Sequence, residues 1–339
     1  MRNADRSYPA IGRIHRHHDA LDALIAPDAP IERVADGFVW SEGPVWIESG
    51  GYLLLSDVPA NRMYRWSEQD GLSLFLEPSG TAFTEGFREP GSNGLIRGEG
   101  GTILIADHGN RAVARLDLAT REKTFLATHY AGKRFNSPND LVRASDGSIY
   151  FTDPPYGLDG LNASPLKELA HNGVYRLRPS GEVQPVDDGL TFPNGIVLSP
   201  DECTLYVAVS DPDAPMIHAY ALDGEGRAGG RAMFADFADL VTAGLPGLPD
   251  GMAVDCEGNI WSTGPGGVTV LGPDGRRLGR IDTGTKVANC AFGEDGRTLF
   301  IASQHCLARV RTRVAGLAPA IGRPSASTRQ SAHGDGSEA

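Results

Sequence analysis

Lysine is almost missing from this chain: of 31 basic residues only Lys123, Lys133, Lys167 and Lys286 are lysines, and they face 43 acidic residues. The formal charge of -12 repels a phosphate backbone and an anionic lipid surface, so neither nucleic acid nor a membrane is an expected partner. No apolar run is long enough to span a bilayer, and the opening MRNADRSYPAIGRIHRHH lacks the apolar stretch of a secretion signal. A cytoplasmic location is the expectation. Cysteine is scarce too. Cys203, Cys256, Cys290 and Cys306 have no CxxC spacing and sit in or beside expected strands, which reads as buried free thiols rather than a disulfide or metal set. Long segments with 3.6-residue apolar periodicity are also absent; the best helical candidates are HDALDALIA (18–26) and SPLKELA (164–170).

What the chain has in quantity is turn residues, 43 Gly and 23 Pro, set between short apolar runs. Six of these runs are alike: LLLSD from Leu53, ILIAD from Ile103, IYFTD from Ile149, LYVAV from Leu205, IWSTG from Ile260 and LFIAS from Leu299. They recur every 39 to 56 residues, close to the period of roughly 40 to 50 residues of a four-stranded propeller blade. Short Gly turns such as SDG before Ser148 and EDG before Arg297 make hairpins of the neighbouring runs. The expected fold is all-β, a six-bladed β-propeller with a central channel. The repeat occupies residues 35–312 as one domain, with residues 1–34 as an N-terminal arm that wraps over one face or closes the ring. Residues 313–339, small and polar, form a disordered tail in this reading.

Ten or eleven residues before each repeated run stands one oxygen-bearing side chain: Glu42, Asn93, Asn139, Asn194, Asp250 and Asn289. Equivalent positions of radially arranged units converge on one axis. Two carboxylates among amide oxygens, without His or Cys, suit a hard divalent cation, Ca2+ above all, with Mg2+, Mn2+ or Zn2+ as alternatives. A cation so held polarises a carbonyl or phosphoryl oxygen while a neighbouring carboxylate takes a proton from water, so the ring supports hydrolysis of an ester-like bond. The competing reading is local: Asn-Gly and Asp-Gly are good turn formers.

The stretches SEGPVW, RFNSPNDLV, IYFTDPPYG, FPNGIVLSPDECTLYV and LPDGMAVDCEGNIW resemble signature segments of the senescence marker protein, gluconolactonase and luciferin-regenerating enzyme family of six-bladed propellers, with ADHGNRAV and NCAFGEDGRTLF closest to its gluconolactonase branch. The resemblance implies a divalent metal held by Glu42, Asn139, Asn194 and Asp250 at one mouth of the channel, and hydrolysis of a small-molecule lactone with Asp250 as general base. It also implies that Asn93 and Asn289 do not touch the ion. These two, with His108 and Arg134, are assigned to substrate contact; His108 alternatively makes a structural hydrogen bond, and Arg134 is alternatively just solvated. Two other functions stay open. One is a phosphotriester or phosphofluoridate hydrolase, since the set also resembles the metal environment of the diisopropyl fluorophosphatase propeller. The other is a non-enzymatic metal-binding propeller. Asp57, Asp107 and Asp153, each ending a repeated run, are expected to bind backbone N–H groups of the following turn. His15, His17 and His18 are expected on a flexible arm.

Overall fold

A computed structural model describes residues 7–317. Six antiparallel sheets of four or five strands follow one another, led by the innermost strands Ser41–Ile47, Ser92–Arg97, Leu141–Arg143, Pro193–Leu198, Met252–Val254 and Asn289–Gly293. The six repeated runs are the second strand of successive sheets. Four of them begin one residue earlier than the sequence suggests, at Tyr52, Thr102, Thr204 and Thr298. The chain is a six-bladed β-propeller.

Second strands such as Leu53–Leu54–Leu55 are apolar on both faces because each is sandwiched between two blades. Leu53 and Leu55 pack with Trp66, Phe300 and Leu307 toward the sixth blade, while Leu54 packs with Val45, Ile103 and Ile105 toward the second. One apolar cluster fills each of the six inter-blade gaps, the last joining blade six to blade one. Burial of these clusters is the main force holding the ring closed.

The N-terminal residues also close the ring. Ile31–Asp36 pairs with Cys306–Arg311 as the outer strand of the last blade, and Arg13–Arg16 adds a fifth strand to the blade before it through Arg277–Asp282. The histidines of this segment are therefore not on a loose arm: His15 lies in a paired strand opposite Arg280. HDALDALIA yields a one-turn helix, Leu21–Leu24, whose buried Leu21 and Leu24 join the core. SPLKELA forms no helix. It is short, and Lys167 folds back to donate to Asn136 Oδ1 and to the Leu169 and His171 carbonyls. The four cysteines are free, but only Cys290 is buried; Cys203 and Cys256 are exposed. Of residues 313–317, Val314 joins the core and Ala315, Gly316 and Leu317 line the cavity along the channel, with Leu317 N–H bonded to Val254 O. The remainder of the expected tail lies outside the described residues. No helix among the described residues is long and apolar enough to cross a membrane.

Candidate active site

Glu42, Asn93, Asn139, Asn194, Asp250 and Asn289 all stand at the start of an innermost strand or within two residues before it, and all six are buried or nearly so. Their shared position has a backbone cause. Just after Glu42, Asn93 and Asn194 the pairing with the second strand slips in a bulge, and the freed backbone groups bond across to the neighbouring blade: Gly94 N–H donates to Asn139 O, and Thr152 Oγ1 donates to Asn194 O. The glycine that follows four of the six is required by this approach. A Cβ on Gly43 would stand 2.2 Å from Asn93 O, and one on Gly195 2.2 Å from Asp250 O. The Asn-Gly and Asp-Gly doublets thus mark strands crowded round an axis.

A directed chain of hydrogen bonds links the amides. Asn93 Nδ2 donates to Asn139 Oδ1 (2.5 Å), Asn139 Nδ2 to Asn194 Oδ1 (2.5 Å), and Asn194 Nδ2 to Ser210 Oγ (2.9 Å). On the other side of the ring Glu42 Oε2 accepts from Gly43 N–H (3.0 Å) and Asn289 Nδ2 (3.2 Å). Asn136 stays outside, bonded to Asp153 O and His171 O. His108 is fully buried and faces the ring, its Nε2 lying 3.0 Å from Asn93 Nδ2 and 3.1 Å from Asn139 Oδ1. Arg134 is not drawn into the ring; its Nη2 donates to Asn110 O (2.7 Å). Of the strand-ending aspartates, Asp107 binds the following turn at Asn110 N–H. Asp57 and Asp153 instead grip the segments that lead into their own innermost strands, at Val39 and Trp40 and at Asn136.

The electrostatics are those of an uncompensated acidic pocket. Burial pushes the Glu42 carboxyl up to about 7 and Asp140 up to about 8, and Asp250 is raised by burial together with the charges of Glu42 and Asp140. Among the described residues no lysine or arginine forms an ion pair with any of the three. Burial lowers His108 to about 3, which keeps its ring neutral.

Against known proteins, the SMP-30/Gluconolactonase/LRE-like region is matched over residues 40–305. The gluconolactonase of Zymomonas mobilis is 47% identical over 312 residues, which cover 90% of this chain and 88% of that protein. This chain belongs to the SMP-30/gluconolactonase/LRE-like family. Among solved structures, a gluconolactonase of Xanthomonas campestris is 36% identical with a TM-score of 0.77, over 91% of this chain and 99% of that one. The calcium-binding protein regucalcin of Agrobacterium tumefaciens shares the fold at 20% identity, with a TM-score of 0.67 over 94% and 99% of the two chains.

Several residues beside the ring of this family member were not singled out from sequence. Asp140 follows Asn139 where four other blades carry glycine, and its Oδ1 would lie 2.7 Å from a Cβ on Gly94. Glu89 faces His108, and Tyr156, stacked on Phe192, brings a buried hydroxyl to the Asp250 side beside Ser210. The doublet Asn139–Asp140 was the one signal available, a carboxylate where the repeat elsewhere asks for glycine.

The donor set fits a hard divalent cation. Buried like-charged carboxylates without a cationic partner are stabilised by one, and Asn194 has its nitrogen anchored on Ser210 while its oxygen accepts from Asn139 Nδ2. Among the described residues no group of three or more His, Cys, Asp or Glu side chains converges as a metal site.

Proposed function

We propose that this protein is a divalent-cation-dependent hydrolase of a sugar-acid lactone. The observation that carries the reading is the pair of carboxylates, buried Glu42 and half-buried Asp250, set among amides without a positive partner, in a chain 47% identical to a gluconolactonase. Glu42, Asn139, Asn194 and Asp250 would hold the cation, with Ca2+ the best match to their oxygen donors. When bound, the cation supplies a Lewis acid for the lactone carbonyl and offsets the buried negative charge.

The chain's own residues do the rest. Asp250 takes the proton of the attacking water at its carboxylate. Asn289, through its N–H to Glu42 Oε2, and Gly43 N–H hold the Glu42 carboxylate in one orientation. Ser210 anchors the Asn194 amide, and its own hydroxyl donates to Pro249 O immediately before Asp250. Asn93 and His108 support Asn139 from the blade-two side.

The test is hydrolysis of glucono-1,5-lactone before and after chelation, with calcium added back. Turnover that is lost with the ion and restored by it supports the reading. Turnover indifferent to chelator removes the cation, and phosphotriester turnover exceeding that of the lactone assigns the site to the other substrate class.

A further inference from the structure

Behind the ring lies a buried assembly that the lactonase chemistry does not use directly. Glu89 sits in the loop entering blade two, where Arg88 N–H and Glu89 N–H both bond to Gly157 O of the loop between the second and third strands of blade three. Its Oε2 stands 3.5 Å from His108 Nδ1, an atom with no hydrogen-bond partner. Burial raises the Glu89 carboxyl above its ordinary value, and the bond its Oε1 accepts from Arg88 Nη2 (2.6 Å) works against that rise. Gly157 lets the second loop close over this pair, since a Cβ there would stand 2.9 Å from His108 Cβ.

A neutral imidazole has one donor and one acceptor nitrogen. Asn93 Nδ2 can spend one hydrogen on Asn139 Oδ1 (2.5 Å) and the other on His108 Nε2 (3.0 Å). That arrangement needs a lone pair on Nε2 and places the ring proton on Nδ1, facing Glu89. The opposite tautomer would have Nε2 donate to Asn139 Oδ1 (3.1 Å), pinning that oxygen away from the channel axis.

We infer that Glu89 is a positioning residue that holds His108 in the Nδ1–H tautomer, so that Nε2 accepts from the Asn93 amide nitrogen and does not compete with a cation for the Asn139 oxygen. The benefit to cation binding rests on the function proposed above; the tautomer assignment does not.

The experiment is a long-range 15N–1H correlation spectrum of histidine-labelled protein, with His108 assigned by its loss in His108→Gln. The expected pattern is a protonated Nδ1 and a bare Nε2. Glu89→Ala should move the proton to Nε2 and weaken calcium binding about tenfold, the worth of roughly one hydrogen bond to a charged group. Glu89→Gln, whose amide oxygen still accepts from Nδ1–H, should restore most of both, with circular dichroism confirming the fold. A wild-type His108 protonated on Nε2, or a tautomer unchanged in Glu89→Ala, overturns the inference. Wild-type protein that binds no cation while His108 carries its proton on Nδ1 defeats the proposed metal site and supports the assignment of the tautomer.

Discussion

Gly43 of the first blade lies so near Asn93 of the second that a Cβ on the glycine would stand 2.2 Å from the Asn93 carbonyl oxygen. Gly43 also has a positive φ of 45°, so a side chain there meets both backbone strain and a neighbour that cannot yield. Gly43→Ala should lower stability by about 1–3 kcal/mol, the usual range for forced overpacking. Urea unfolding gives the answer; a midpoint equal to wild type would mean that the blades do not approach as closely as described.

Metal-free stability should fall as pH rises above neutrality. Glu42 and Asp140 have ordinary values of 4.5 and 3.8 but are pushed up to about 7 and about 8 by burial. From about pH 4 to 8 the folded protein therefore holds more of these protons than the unfolded chain, and each step upward costs stability. His17, His108 and His218, whose values burial lowers, act in the opposite sense below about 6.5, the ordinary value for histidine, so the window to examine is pH 7 to 8.5. Calorimetric melting in chelator should show Tm decreasing across it, and saturating calcium should flatten the decrease. A Tm that rises with pH in chelator would contradict the acidic pocket.

Glu42→Gln removes one charge while keeping the shape and a hydrogen-bond acceptor for Gly43 N–H. Without cation the variant should be more stable than wild type at pH 8, because a buried uncompensated charge is gone. Its calcium affinity should nevertheless fall sharply in a calorimetric titration. Unchanged affinity would remove Glu42 from the cation's coordination.

Asn289→Ala separates support from coordination. The family resemblance implies only a small rate effect, since it places Asn289 away from the ion. Because Asn289 Nδ2 donates to Glu42 Oε2, its loss should loosen that carboxylate and weaken calcium binding several-fold, the usual net worth of one such hydrogen bond. Affinity reduced as far as in Glu42→Gln would instead make Asn289 a ligand.

The propeller was legible because its signal is repeated: six apolar runs at similar spacing, each with its polar partner ten or eleven residues earlier, survive local irregularities in any one blade. The ring members were legible for the same reason. What lay beyond the repeat was not. Glu89 and Tyr156 reach the ring from loops whose paths depend on contacts between blades, such as Arg88 N–H to Gly157 O. Asp140 sits on the repeat but breaks its glycine pattern, and the sequence alone does not show that blades two and three leave room for a carboxylate. SPLKELA has helical composition, yet Lys167 finds three oxygen partners in an irregular path. Tertiary bonds override local propensity there.

The most direct measurement is turnover of glucono-1,5-lactone by Asp250→Asn at saturating calcium, with binding of the ion verified separately. The substitution keeps the size and one ligand oxygen but removes the basic lone pair and the charge. The account predicts that calcium still binds, with modestly lower affinity, while kcat falls by about two to four orders of magnitude, the usual worth of a placed general base. A calcium-loaded variant that keeps more than about a tenth of wild-type kcat would contradict the role of Asp250 as proton acceptor.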